Sequence, residues 1–543
     1  TVTLDNSQVL SNTADIYGGG IYMVETSTLN VLNGSVIAHN HVITGSGGGI
    51  AAVGTPDINI ADATLRDNSA ATDGGAIYIE GGTLDFTGGW NLLRNTAHTG
   101  NGGAVAVMGD AEANFRAGGY SFVYFNRAMS GHGGVLYLGN NTMTRLYATV
   151  GHEMYIYGNR AIGGNGGALY ANNGGLFDVY GQVNFDRNRA DNGGAIYLTN
   201  GSRVWFDDYV NIRPQLWDNW ADNGSGGALY AANSPRVACE GATFGLADEG
   251  NHASISGGAI YLSGSTFNAD NCIFQDNEAQ QHGGAIAAYT STLSIYATYP
   301  ALPLAAQPAG IERDLLSPAA PAATACNPLT EQCSVFSGNV ADSDENDTGR
   351  GGALYTNDGS TQIAHTHFYS NSATHGGAIY QVGSNALADI ANTLIYSNTT
   401  TAEYGAGIRT EGGAFTVTHV TLANNQNGAG YSQSNTDGYA MNSIAWGNEA
   451  GGFWITSGPL TGTCNIDQSA NVGVNVNPQF VAPGAGENYR LRGSSPAIDA
   501  CPTGLPIDLD NKARPIGDQY DMGAYEGSGE TYIYLPLVLR HQN

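Results

Sequence analysis

Gly74-Gly75-Ala76-Ile77-Tyr78 decides the fold of this chain. The same five residues return at Gly193 to Tyr197, Gly257 to Tyr261 and Gly376 to Tyr380. Close variants begin at Gly18, Gly47, Gly102, Gly133, Gly166, Gly226, Gly283, Gly351 and Gly405. The thirteen copies follow one another at 25 to 33 residues, apart from one gap of 68. Such a period marks a repeat architecture, in which each unit buries its apolar side only against its neighbours.

Within a copy, one position is always aliphatic, from Ile21 and Ile50 through Ile379 and Ile408. The next is Tyr in nine copies (Tyr22, Tyr78, Tyr137, Tyr170, Tyr197, Tyr230, Tyr261, Tyr355, Tyr380) and Ala or Arg in the other four. Alternate residues of a strand face opposite sides, so the aliphatic points into a core and the Tyr points out. Two glycines permit a tight corner at positive φ without a side-chain clash. Five to seven residues before most copies stands an Asn, from Asn12 and Asn40 to Asn371 and Asn398. Asn tolerates left-handed backbone in turns, and stacked asparagines can form an amide ladder. No stretch keeps a 3.6-residue apolar period, and glycine, 78 residues of 543, is too frequent for helices. The repeat therefore reads as one coil of a parallel β-helix, an all-β solenoid.

The repeat resembles that of the polymorphic outer membrane proteins, which pairs Gly-Gly-Ala-Ile with Phe-x-x-Asn. The second half stands here as Phe185 to Asn188, Phe274 to Asn277, Phe336 to Asn339 and Phe368 to Asn371. Over residues 1 to about 450 the resemblance implies a right-handed parallel β-helix on a cell surface. A second resemblance covers about residues 475 to 527: Ser494-Ser495-Pro496-Ala497-Ile498-Asp499-Ala500-Cys501, then Asp508-Leu509-Asp510, Arg514-Pro515 and Asp521-Met522-Gly523-Ala524-Tyr525-Glu526, is similar to the choice-of-anchor Q domain of secreted bacterial β-helix proteins. The tail from Thr531 to Arg540 resembles tails of secreted Chloroflexota proteins. The expected organisation is a regular solenoid over 1–296, a Pro/Ala-rich insertion over 297–333, a solenoid with degenerate later coils over 334–480, a small cap over 481–527 and a β-tail over 528–543.

The net charge of −28, with Lys512 the one lysine, excludes non-specific binding of nucleic acid. No run of 18 apolar residues is present, so no transmembrane helix is expected. The chain opens inside a repeat at Thr1-Val2-Thr3-Leu4, as expected of a secreted product whose leader has been removed. Six cysteines pair by proximity as Cys239 with Cys272 one repeat on, Cys326 with Cys333 across a short loop, and Cys464 with Cys501 in the cap. Three local disulfides place the protein in an oxidising, extracellular setting.

β-Helices often act on polysaccharides, so catalytic constellations bear on the function. Asn435-Thr436-Asp437, Asp207-Asp208 and Gly131-His132-Gly133 resemble polygalacturonase motifs, but their order is reversed and they lie about 75 and 230 residues apart. Carboxylates that must flank one glycosidic bond cannot converge from such positions, and the expectation is no enzyme and no cofactor. Asp342, Asp344 and Asn346, and in the cap Asp508 and Asp510, are candidate calcium ligands because their oxygens alternate along the chain. For partners, two surfaces stand out. One is the Tyr column, with Tyr78, Tyr197, Tyr261 and Tyr380, suited to a glycan or another molecule. The other is the pair of chain ends. Thr1, Val2 and Leu4 form a strand edge, and Tyr532, Ile533, Tyr534, Leu535, Leu537 and Val538 form a spare β-segment. The leading expectation is an extracellular structural protein that polymerises head to tail, the tail adding a strand to the next subunit's first coil. A cell-surface adhesin using the Tyr face is the alternative.

Overall fold

A computed structural model describes residues 1–208, 212–296, 333–402, 404–484 and 487–527. Each repeat forms one coil. A typical coil runs Thr83–Thr87, Asn91–Leu93, Thr96–Ala97 and Val105–Met108, one strand in each of four sheets. Equivalent strands of successive coils pair in parallel, giving sheets of 16, 16, 13 and 15 strands, called the first to fourth below in the order of the coil. At about 4.8 Å per strand the rod is roughly 72 Å long. No α-helix occurs among the described residues, and the chain is the right-handed parallel β-helix that its repeat implies.

The conserved aliphatic is the core ladder. Ile77, Val105, Leu136, Leu169, Ile196 and Leu229 are at most 1% exposed and belong to one apolar cluster that runs the length of the rod. Inside the second sheet the Phe of Phe-x-x-Asn makes a second ladder: Phe274, Phe336 and Phe368, with Phe244 before them, stack at 4.5 to 5.0 Å.

The two glycines divide their work. The first always has positive φ, between 57° and 73° across the thirteen copies. The second, present in every copy but the last, where Ala406 replaces it, sits where a Cβ would strike the backbone of the next coil.

Asparagine differs from the turn expectation. The left-handed residue is the one before it: Ser11, His39, Asp67, Arg94, Phe125, Arg187 and Asp218, at φ 49° to 58°. The Asn itself turns inward. Fifteen of them, from Asn12 to Asn448, are joined coil to coil by fourteen amide hydrogen bonds of 2.8 to 3.1 Å. A buried corner leaves backbone groups without water, and the amide satisfies them.

The insertion does not break the register. Thr292–Tyr296 still pairs with Thr266–Asp270, and Ser334–Ser337 pairs with Ile273–Gln275, so residues 297–332 leave and re-enter at the corner between the first and second sheets. Cys239 and Cys272 join adjacent coils there, with Cα atoms 6.4 Å apart. Cys333 is disulfide-bonded, while Cys326, the rest of the insertion and the tail with Tyr532, Ile533, Tyr534, Leu535, Leu537 and Val538 lie outside the described residues.

The C-terminal cap lies on the flank of the rod, not over its end. After the last coil, Phe480–Ala482 and Asn488–Leu491 form a small antiparallel pair, and the chain then runs back along the second sheet. Asn442 donates to Thr503 O, Asn392 to Ile507 O, and Ala524 N–H to Thr421 Oγ1, contacts spread over successive coils. Outward residues of the second sheet (Val335, Leu394, Tyr396, Ile444) are thereby buried with Leu509, Ala524 and Tyr525. Cys464–Cys501, at a Cα separation of 5.7 Å, ties this segment to the last coil.

Candidate functional site

The outward Tyr of each repeat lands on the fourth sheet, in register with its neighbours. Tyr137, Tyr170, Tyr197, Tyr230 and Tyr261 form a continuous stack, with centroids 4.7 to 5.4 Å apart and interplanar angles of 2° to 14°. His132 joins it, stacked on Tyr170 at 4.5 Å. The ring faces of Tyr170, Tyr197 and Tyr230 are thus spent on their neighbours. Burial among neighbouring rings raises the hydroxyl pKa of Tyr170 and Tyr261 to about 12. Further along, His282 stacks on Tyr355 at 4.4 Å and Arg350 lies over Tyr380 at 5.4 Å. Tyr380 is only 1% exposed, so the expectation that it stands free for a partner is corrected. Tyr78 is partly exposed and donates to Glu80 at 3.0 Å.

The candidate calcium oxygens already serve protein donors. Asp342 accepts from Asn346 N–H at 3.0 Å and from the Thr374 hydroxyl at 2.7 Å, and the Asn346 amide donates to Asp344 at 2.7 Å. Asp508 accepts the N–H groups of Lys512 and Glu526 at 2.7 and 2.8 Å, and Asp510 pairs with Arg490 and Lys512. Among the described residues no three His, Cys, Asp or Glu side chains are gathered for one ion. Asp207 and Asp437 lie seven first-sheet strands apart, roughly 34 Å, and His132 is engaged in the Tyr stack.

At the ends of the rod, Val2–Asp5 pairs on one side only, with Val2 59% exposed and Leu4 packed on the core. At the far end Phe453–Ile455 and Leu460–Thr463 each pair with one neighbour, and Trp454 is 46% exposed.

Three stretches, residues 62–80, 182–199 and 334–357, match the Chlamydia polymorphic membrane protein repeat. No curated protein and no solved structure is significantly similar to the chain. The matched stretches are the strands and corners described above, and they point to a surface-exposed repeat protein. Two observed disulfides agree with an oxidising exterior. No helix is long and apolar enough to cross a membrane among the described residues.

The sequence reading missed the polar joint beneath the docked segment. Arg514 and Glu526 lie 3.4 Å apart with fully buried side chains. Burial pulls Arg514 down to about 10 and pushes Glu526 up to about 7. His365 faces Asp508 O at 3.1 Å, and Arg514 contacts His419. His367, between Val335 and Leu394 on neighbouring strands, is 3% exposed and neither ring nitrogen has a partner. Burial holds its pKa down to about 3. Replacing it by leucine removes two unsatisfied nitrogens among apolar neighbours, and His367→Leu should stabilise the rod by about 1–3 kcal/mol at pH 7. The unfolded imidazole takes up a proton below about 6.5 and the folded one does not, so the parent loses stability as pH falls from 6.5 toward 3. The advantage of the variant should therefore grow by up to about 1.4 kcal/mol per pH unit in that window. Urea melts of both proteins at pH 7 and pH 5 check this; an advantage that shrinks at pH 5 contradicts it.

Proposed function

We propose that the chain is a non-enzymatic, extracellular structural rod that associates end to end with copies of itself. The observation that carries this reading is the last coil, where Phe453–Ile455 and Leu460–Thr463 keep one edge unpaired among the described residues. An unpaired edge is a template for another strand, and end-to-end contact between unlike ends propagates instead of closing. The segment of residues 531–540, rich in Tyr, Ile, Leu and Val, is suited by its sequence to act as the complementary part by strand addition. The resemblance of residues 475–527 to the choice-of-anchor Q domain supports surface attachment in a secreted bacterial protein, and that of the tail favours a Chloroflexota source. Adhesion through the Tyr column is disfavoured, because a sugar needs a free ring face and these faces are stacked.

Sedimentation velocity and electron microscopy of the full chain and of residues 1–527 test the reading. Concentration-dependent rods that shorten on truncation are expected. A monodisperse monomer at high concentration would sink the assembly, and unchanged polymers after truncation would sink the tail's part in it.

A further inference from the structure

The third sheet carries a feature that end-to-end assembly does not use. Its short strands each show one residue outward, and in three successive coils that residue is arginine: Arg127, Arg160 and Arg189, paired in register. Adjacent strands lie about 4.8 Å apart, so three guanidinium groups are held side by side along the rod axis. Like charges placed directly opposite in a sheet destabilise it. The chain has 18 arginines, and ten of them fall between residues 94 and 236 in a protein of net charge −28.

Among the described residues one carboxylate pairs directly with the column. Asp222 takes Arg189 at 2.7 Å and Arg160 at 3.6 Å. Arg127 is exposed and makes no ion pair among the described residues. Arg160 and Arg189 keep 44% of their side chains exposed. The row is braced at its end: Arg189 lies over the Trp220 ring at 5.4 Å, and Trp220 stacks on His252 at 4.1 Å. Arg189 already donates Nε and Nη2 to Asp222, so bidentate contact with a further carboxylate or sulfate falls first to Arg127.

Beside the column, on the second sheet and its corner, lies an aromatic patch. Tyr124, Phe125 and Tyr157 meet edge to face at 5.4 to 6.1 Å, and Phe125 is 42% exposed. Unlike the Tyr column, these rings meet at steep angles, and Phe125 is the exposed one, while Arg187 lies over the Tyr157 ring at 5.8 Å. An exposed ring suits the apolar face of a sugar, and adjacent guanidinium groups suit its acidic substituent. We propose that Arg127, Arg160 and Arg189, with Phe125 and Tyr157 beside them, bind an acidic polysaccharide whose carboxylate or sulfate groups run along the rod axis. The column spans two strand spacings, which is short for a nucleic acid tract but enough for a few charged sugar units. The protein's net negative charge is screened beyond about 10 Å at 0.1 M salt, so contact rests on the guanidinium groups of the column themselves.

Binding of polygalacturonate and dextran sulfate to the full chain, by isothermal titration at 50 and 300 mM salt, tests the site. Neutral dextran and a DNA oligonucleotide serve as comparisons. At least one of the acidic glycans should bind and weaken with salt. The triple variant R127Q/R160Q/R189Q should bind at least tenfold less, and R127Q alone several-fold less. Because the column is repulsive, R160Q should leave the melting temperature unchanged or raise it while lowering affinity. A merely structural arginine would lower it. No binding above neutral dextran, or equal binding by the triple variant, overturns the site. Equal or tighter binding of DNA overturns the choice of a glycan. A triple variant that loses self-association but keeps glycan binding reassigns the column to a second copy of this chain.

Discussion

Gly194→Ala should prevent its coil from closing. Gly194 lies in an unstrained region of backbone space, so conformational preference does not require glycine there. Space does. A Cβ would lie 2.5 Å from the Trp220 backbone nitrogen and closer still to the Gly227 carbonyl oxygen. Both belong to the next coil, fixed in register by the Gly194 N–H bond to Gly226 O at 3.1 Å. Overpacking usually costs about 1–3 kcal/mol because side chains can move aside. Backbone cannot do so without parting the sheets, and the loss should exceed about 3 kcal/mol. Gly163→Ala is the control. Gly163 has φ +66°, but nothing lies within 4 Å of its Cβ position, and left-handed backbone alone costs about 1–2 kcal/mol. Urea midpoints of the two variants distinguish the causes. Equal losses would show that close approach between coils is not what glycine provides.

Asn188→Ala should cost on the order of 4 kcal/mol, summed over the groups it orphans. Asn188 is fully buried. Its amide nitrogen donates to Ile156 O at 2.8 Å and to Asn219 Oδ1 at 3.0 Å. Its oxygen accepts the backbone and side-chain N–H groups of Asn159 at 3.1 and 2.9 Å. Truncation strands two donors and a carbonyl where water cannot reach, each at about 1–3 kcal/mol. Asn188→Asp should do no better, since a carboxylate accepts but cannot donate. Hydrogen exchange would locate the damage: the amides of Asn159 and Asn219 should lose protection first, while coils near residue 400 keep theirs. Uniform loss along the rod would contradict a local role.

Much of this was legible because a solenoid is built from near-neighbour contacts repeated in register. Ile77, Val105 and Leu136 announce the core from one position of the motif, and the spacing of Gly-Gly announces the coil. The left-handed residue was not legible. It falls on Ser11, His39, Arg94 and Phe125, which share no chemistry, because the closing corner imposes that conformation whatever the side chain. The inward turn of the asparagines follows from unmet backbone groups that only the assembled corner reveals. The buried flank did leave a signal. In Val335-Phe336, Leu394-Ile395-Tyr396 and Ile444-Ala445-Trp446 the second-sheet strands are apolar on both faces, as strands covered on both sides are. What covers them is the segment from Phe480 onward, beyond the reach of a periodic reading. The outwardness of Tyr197 could be read from alternation, but the stacking that closes its faces depends on Tyr170 and Tyr230 occupying the same register.

The asparagine ladder also gives the rod an arrow. From Asn12 onward every link runs the same way, side-chain N–H of one coil to side-chain oxygen of the next toward the C-terminus. Chains of aligned hydrogen bonds polarise one another. In each interior member the oxygen accepts from the preceding coil and the amide donates to the following one. A coil laid on upside down would bring acceptor to acceptor or donor to donor. Growth, fraying and force applied along the axis therefore meet two different ends, and a stack of such rods inherits a single sense of travel from one amide per coil.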